Sequence, residues 1–498
     1  MEELVKTWIK KEAERLAREY HQYHNNVEIE YQRNKKRIKG VPPKKIIKPE
    51  YWHVDKKFNP FYVLKHIDSI SKSLSKKLVN GTYSPQSPYT YNVEEKEKHK
   101  KRETRVFQIP DAAISTYLYR RLLSKNKHRF SSLAYAYRDD RNVHYAIQDI
   151  AFELIRKPRV FVAEFDFKDF FGSVKHEYLF ELLGSGGFLI NQFETDLIKK
   201  FLIDDKGIPL GTSISLFLAN AVCWKLDRNF EEEGIRFARY ADDTVVWSTD
   251  YNKICKAFEI IYEFSQSSGI DINTIKSEGI SLLQPQEMPS EFEKTKEYIE
   301  FLGYKLSGKN ISIKQQSVNK IKKQISYLLY RNLIQPINTT PFRAVIIPSN
   351  NEDPSFVSAI MQIRRYLYGN LSEETLTKYN QGIYKKLSFK GIMSFYPLIN
   401  NEDQLKTLDG WLLSSIFMTL KKREKILINN LHHVSSQFPY NLLKNQLIDA
   451  CKTQSYRGIA GIMEIPSFLR IYKAIKKGVL NEGIDETMNR KSVYYNYF

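Results

Sequence analysis

Two apolar, β-prone runs of this chain end in carboxylates, and that constrains the fold more than any other feature. "RVFVAEFDF", Arg159 to Phe167, is a continuous buried-strand pattern that arrives at Asp166. "FARYADDTVVWS", Phe237 to Ser248, is a second strand-like run interrupted by Asp242 and Asp243. A plain hairpin favours Asn-Gly or Asp-Gly at its tip, so Asp-Asp is a poor choice for the turn alone. A buried, unpaired carboxylate is costly. Three of them at the ends of two strands would repel one another unless hard divalent cations, which favour oxygen ligands, stood between them. Two such ions about 3.5–4 Å apart are the arrangement for in-line phosphoryl transfer. Taken alone, each aspartate also reads as an ordinary surface turn residue.

Length sets a prior of about three domains at ~150 residues each for the 498-residue chain. Hydrophobic residues make up 42%, enough for large cores, and the net charge of +20 points to a nucleic-acid partner. No run of about 18 apolar residues is present, which excludes a spanning helix. The start, "MEELVKTWIKKEAERL", has no apolar signal core, so a cytoplasmic protein without membrane contact is expected. Cys223, Cys255 and Cys451 are odd in number and form no CxxC pair, which argues against a zinc site or a disulfide framework.

The first 30 or so residues carry an amphipathic helical pattern. "RNKKRIKGVPPKKIIK", Arg33 to Lys48, contains no acid and is broken by Pro42-Pro43. It reads either as a solvated loop or as a basic arm, with Arg33, Lys35, Lys36, Arg37 and Lys39 as RNA-binding candidates. Helical spacing covers Phe58 to Gly81 and Asp111 to Ile155. "GTSISLFLANAVCWKLDRNFEEE" predicts one helix capped by Thr212 or Ser213. "YIEFLGYKLSGKNISI" predicts a hairpin, and beyond about residue 315 the pattern is all helical.

"DFKDFF", "GIPLGTSISLFLAN", "YADD", "IKSEG" and "FLG" occur in this order at domain-compatible spacing. As an ordered set they resemble the reverse transcriptase family over about residues 60–310. "NGTYSPQSP", "KKRETRVFQIP" and "AYAYRDDRNVHYAI" resemble the fingers segments of its bacterial members. The resemblance implies an α+β fold: a right-hand polymerase with fingers and palm of reverse transcriptase type, followed by an all-α C-terminal lobe. The expected boundaries are an N-terminal helix and basic arm over 1–59, fingers and palm over 60–310, an all-α thumb and lobe over 311–490, and a tyrosine-rich tail over 491–498.

Site roles follow from the same resemblance. Asp166, Asp242 and Asp243, with the Phe167 carbonyl, would hold two Mg²⁺ ions, or Mn²⁺ in their place. Lys100, Lys101 and Arg105 would neutralise a nucleotide's triphosphate, for which bidentate Arg is suited. Asp169, Phe171 and Leu210 would line the dNTP site, with the Phe171 ring excluding a ribose 2′-OH. Lys276 reads equally as a general acid for pyrophosphate or as a solvated lysine. Leu210 stands where the family has Gln and Leu216 where it has Pro, which bears on templating rather than on metal chemistry.

The Asn-Ala-x-x-His and Val-Thr-Gly signatures of retron enzymes are absent, and the cysteine count excludes the zinc-bearing endonuclease of group II intron proteins. "IMQIRRYLYGNLSEE" and "LKTLDGWLLSSIFMTLKKR" resemble the helical lobe of bacterial defence-associated and abortive-infection members. The implied activity is RNA-directed DNA synthesis on a structured non-coding RNA that serves as template and scaffold, with dNTPs consumed and DNA released. Within that group the resemblance points to the type 9 defence class, with the abortive-infection P2 type as the alternative and a trimeric or hexameric homo-oligomer as the assembly. Rival readings are a retron-like or group II intron-like enzyme and a non-catalytic RNA-binding scaffold. The chain ends "RKSVYYNYF". Tyr494, Tyr495 and Tyr497 read either as an aromatic anchor or as hydroxyls that prime synthesis.

Overall fold

The structure is a computed structural model that describes residues 1–95, 100–155, 157–338, 353–431 and 438–488. The chain divides into two compact units, Met1–Asn26 with Lys45–Glu297, and Val27–Lys44 with Tyr298–Phe498. Helix α1 (Glu2–Lys35) contributes to both; it buries Val5, Ile9, Ala13 and Ala17 at four-residue spacing, one stripe of an amphipathic helix.

The first unit continues with α2 (Pro60–Lys65) and α3 (Ile67–Val79). Asn59 caps α2 by accepting the Phe61 N–H at 3.0 Å, with Pro60 in the first helical turn. An antiparallel hairpin follows, β1 (Tyr89–Glu95) and β2 (Lys100–Val106). Then come α4 (Ile109–Asn126), α5 (Val143–Ile155), β3 (Val160–Phe165), α6 (Phe170–Ser173), α7 (His176–Ser185) and α8 (Gln192–Phe201). The helix expected within 211–233 breaks at Cys223 into α9 (Ile214–Val222) and α10 (Trp224–Glu232). Neither expected cap acts. Ser213 makes no capping bond, Thr212 Oγ1 pairs with Ser115 Oγ, and Ser115 of α4 accepts the Ile214 N–H at 2.9 Å. The start of α9 is thus satisfied from a neighbouring helix rather than from its own flank.

Strands β4 (Arg236–Tyr240) and β5 (Asp243–Ser248), helix α11 (Tyr251–Ser268), β6 (Ile280–Leu283) and β7 (Thr295–Lys296) complete the unit. Its central sheet has the order β4-β5-β3-β6-β7. Strand alternation puts Phe161, Ala163 and Phe165 on one face of β3. Phe165 meets Phe258 of α11 edge-on at 4.8 Å, and Phe237 of β4 meets Phe230 of α10 at 5.1 Å. Helices α10 and α11 therefore cover that face.

One charge sits inside this layer. Arg239, 0% exposed on β4, forks onto Asp227 of α10, with Nε to Oδ1 at 2.7 Å and Nη2 to Oδ2 at 2.6 Å. Its Nη1 also donates to the Ala241 carbonyl at 3.3 Å. The Arg239 backbone pairs with Leu133 and Tyr135, so the loop after α4 lies along the edge of β4.

The second unit opens with β8 (Ile299–Phe301), β9 (Tyr304–Leu306) and β10 (Ile311–Ile313), a three-stranded antiparallel sheet where a hairpin was expected. Edge strand β10 finds its partners in side chains. Asn400 Oδ1 accepts the Ile311 N–H at 2.7 Å, and Gln404 takes both the N–H and the C=O of Ile313 at 2.8 Å. The rest is helical: α12 (Gln315–Leu329), α13 (Pro354–Tyr368), α14 (Glu373–Asn380), α15 (Glu402–Leu431), α16 (Leu447–Thr453), α17 (Phe468–Glu482) and α18 (Ile484–Met488). The stretch 311–490, expected to be all-α, also holds β10 and the two-residue strands β11 (Ser455–Tyr456) and β12 (Ile459–Ala460). Its interior is pinned by Arg423 of α15, which donates to Leu333 O at 2.6 Å, to Tyr440 Oη at 2.8 Å and to Asp353 at 3.2 Å.

Removing one partner of a buried pair leaves the other charge uncompensated. Asp227→Ala should therefore lower the unfolding free energy by about 3–5 kcal/mol, measured by denaturant titration. A loss below about 1 kcal/mol, the size expected of an exposed pair, would show that the pair is not what fixes β4 on α10.

Candidate active site at the ends of the central strands

Asp166 follows the last residue of β3. In the β3–β5 register Phe165 faces Thr244, so Asp166 falls opposite Asp243. Tyr240 pairs with Asp243 across β4 and β5, which makes Ala241 and Asp242 a two-residue turn. Asp243 is thus the first residue of a strand rather than part of the turn. Ala241 has φ +57° and is 5% exposed. A residue with a Cβ in this region costs about 1–2 kcal/mol, and the Arg239 contact to its carbonyl helps hold it there. Asp242 is half-buried and Asp243 exposed. Burial, together with the charges of Asp227 and Asp242, pushes the Cys223 thiol up to about 12 against the opposing pull of Arg239. Cys223 and Cys451 are buried free thiols, and Cys255 is half-buried and free.

The Asp166 carboxylate is held from the loop after α11. Asn273 Nδ2 donates to Oδ2 at 2.7 Å, and Lys276 Nζ lies 3.0 Å from Oδ1 and 2.8 Å from Oδ2. Around the same residue, Asn273 N–H donates to the Asp166 carbonyl at 2.8 Å, and the Asp166 N–H donates to Ser277 Oγ at 3.1 Å. Asn273 and Ser277 were not singled out from sequence. The signal available was their place in "DINTIKSEG", beside Lys276. Lys276 ends on the metal-ligand candidate itself, half-exposed, so its ammonium already balances the Asp166 charge.

The donor set fits a hard divalent cation in type: three carboxylates at the meeting ends of two adjacent strands. Among the described residues, no three His, Cys, Asp or Glu side chains are already drawn together on one metal-sized point. Phe167 is buried, and its backbone bridges to Ile272.

The nucleotide-site candidates meet along the loop from Gly207 to Gly211. Ile208 N–H donates to the Phe171 carbonyl at 2.6 Å, and the Phe171 ring stands edge-on to Phe170 at 5.3 Å. Arg105 N–H donates to the Leu210 carbonyl at 3.3 Å, which ties β2 to the same loop. Asp169 is exposed with φ +41°, and its carboxylate lies where a Cβ on Gly172 would be, 2.3 Å from Oδ2. Lys100 and Lys101 pair through their backbones with Glu95 and Glu94, and their side chains lie outside the described residues.

The basic-arm candidates separate. Lys35, Lys36 and Lys39 are exposed and Arg33 is half-buried in the last turn of α1. Arg37 is not a surface residue: it is 4% exposed, and its Nη1 donates to Asn332 Oδ1 at 2.9 Å. Burial, with Arg423, Arg33 and Arg331 nearby, brings its guanidinium down to about 10 despite the pull of Asp353. It belongs to the packing of the second unit and not to a phosphate-binding face. Tyr494, Tyr495 and Tyr497 lie outside the described residues.

Gly211 is the steric key of the loop. It has φ +102°, and a Cβ there would stand 2.0 Å from the Arg105 carbonyl oxygen, an immovable backbone atom. Gly211→Ala should detach β2 from the loop, so the Arg105 amide should lose its protection from hydrogen exchange. Gly81→Ala, with φ +70° and nothing within 4 Å of the added Cβ, serves as the strained but unobstructed control. Equal protection of Arg105 in both variants would remove steric contact as the reason for the glycine.

Residues 95–306 match the family model described as reverse transcriptase (RNA-dependent DNA polymerase). The retron Ec86 reverse transcriptase of Escherichia coli is 29% identical over 121 residues, which are 24% of this chain and 37% of that protein. The chain's match thus spans little more than a third of that relative's length. Among solved structures, the chain is similar to telomerase from Candida albicans in complex with a TWJ fragment of telomeric RNA. That likeness has a TM-score of 0.36 at 12% identity and covers 73% of this chain and 66% of that one. Apo telomerase from Candida tropicalis gives a TM-score of 0.38 at 11% identity, covering 73% of this chain and 72% of that one. No helix among the described residues is long and apolar enough to cross a membrane. The stretch 95–306 is similar to reverse transcriptase domains and has the α+β architecture of fingers and palm, and a mostly helical region follows it.

Proposed function

We propose that the chain is an RNA-directed DNA polymerase whose active site is formed by Asp166, Asp242 and Asp243. The observation that carries this reading is the β3–β5 register, which sets Asp166 opposite Asp243 with Asp242 in the adjoining turn, inside the stretch that matches the reverse transcriptase family. Divalent ions held by these carboxylates, Mg²⁺ or Mn²⁺, would supply the charge that activates an attacking hydroxyl and eases the loss of pyrophosphate.

The chain's own residues orient the reactants. Asn273 and Ser277 fix the carboxylate and backbone of Asp166, so its oxygens keep one direction when Lys276 moves away. Lys276, on a half-exposed loop, is then within reach of a departing phosphate and can give it a proton. The Phe171 ring, with its backbone held by Ile208 and its edge against Phe170, would stand against the sugar and exclude a 2′-OH. The net charge of +20 and the exposed Lys35, Lys36 and Lys39 support an RNA partner serving as template and scaffold.

The finer reading is a role in bacterial anti-phage defence, of the type 9 class or the abortive-infection P2 type, with DNA synthesis primed from Tyr494, Tyr495 or Tyr497. Its support is the resemblance of the helical lobe and the position of the tyrosines in the sequence.

Asp242→Asn with Asp243→Asn should abolish dNTP incorporation while RNA retention by filter binding stays intact. Full incorporation by that double variant would falsify the carboxylate assignment. Sugar choice gives a separate check. Phe171→Val should raise ribonucleotide incorporation relative to deoxyribonucleotide by about tenfold or more. An unchanged ratio would make Phe171 a packing residue only.

A further inference from the structure

We propose that Asp204, helped by Glu103, is a built-in anion that occupies Arg105 and weakens the protein's hold on an incoming nucleoside triphosphate. The inference rests on the polymerase reading above and adds to it a residue that limits nucleotide affinity.

Arg105 lies on β2 and its side chain is 17% exposed. Its Nη1 is 2.5 Å from Asp204 Oδ2, and its Nε and Nη2 are each 3.0 Å from Glu103 Oε1. The fork that suits a phosphate is therefore already filled by two carboxylates. One positive and two negative charges leave this spot net negative, which is the wrong sign for a polyanionic ligand.

The two carboxylates differ from Arg105 in freedom. Their side chains are 51% and 52% exposed, and the residues around Asp204, from Ile203 to Lys206, are all exposed. The chain just beyond is fixed: Gly207 N–H bonds Val174 O at 2.7 Å, Ile208 bonds Phe171, and the Leu210 carbonyl takes the Arg105 N–H. Asp204 can thus swing out into water while the guanidinium stays in place. A triphosphate, with more charge and paired oxygens, can replace it, and the cost of that replacement is subtracted from nucleotide binding. The exposure of both carboxylates keeps the cost small, as for other exposed pairs. Affinity is therefore tuned rather than abolished.

The test is equilibrium binding of dATP and of inorganic tripolyphosphate to the full chain, in Ca²⁺ to prevent turnover. Asp204→Asn keeps the shape of the side chain and removes its charge. It should tighten both ligands by about three- to tenfold, with a smaller gain for Glu103→Gln. In an Arg105→Gln background the same Asp204→Asn change should have no effect. Equal or weaker binding by Asp204→Asn, or a gain that persists without Arg105, overturns the proposal. If tripolyphosphate tightens and dATP binds to neither wild type nor variant, the competition at Arg105 stands and the polymerase reading fails instead.

Discussion

Much of the first unit depends on one buried ion pair. Arg239 and Asp227 join strand to helix across the core, and the arginine's Nη1 also donates to the carbonyl of Ala241 and to the Asn220 side chain. Continuum arguments make such pairs weak contributors to net stability, because the desolvation of both ions offsets their attraction. What this one supplies is direction. It fixes a tight turn in which a residue with a side chain adopts a conformation that glycine would take more readily, and the two aspartates follow from that turn.

A second organising element is the segment from Gly207 to Ser213. It touches the turn after β3 through Ile208, the β1–β2 hairpin through Leu210, and α4 through the hydroxyl pairs Thr212–Ser115 and Ser213–Thr116. Its contacts to strand and hairpin are mostly backbone, so it can accept a side-chain change such as Leu210 while its path is preserved. Its two glycines mark where no side chain fits: at Gly207 an added Cβ would meet the Gly172 backbone at 2.8 Å.

The strands that carry the acids were legible because an apolar run ending in a charge has few explanations. The central pairing of β3 with β5 follows from that pattern. The arginine within β4 was legible in principle: a cation at an inward strand position demands a partner. The partner itself, Asp227, lies in a helical stretch whose acids all look solvated in one dimension, so its role stayed hidden. Arg37 failed in the opposite direction. A run of lysines and arginines reads as a solvated arm, but composition cannot say which member faces inward, and Asn332, nearly 300 positions away, decided it. The caps of α9 failed because the donor that mattered, Ser115, belongs to another helix. The loop partners of Asp166, Asn273 and Ser277, flank Lys276 in the same short motif, but neutral side chains there carry no charge signal that marks them as partners of an acid.

The guarded edge of β10 has a consequence of another kind. A three-residue strand at the rim of a small sheet is an invitation for a second chain to add itself, and repeated addition is how fibrils grow. Here the outward N–H groups of Ile311 and Ile313 and their carbonyls are already answered by Asn400, Asn401 and Gln404. The amide of a glutamine imitates a peptide unit, so the sheet ends in what amounts to a one-residue strand with nothing left to offer. The arrangement also locks the start of α15 to the sheet in a single register. An insertion or deletion between residues 400 and 404 would therefore expose the rim to self-association, an aggregation hazard independent of any loss of activity.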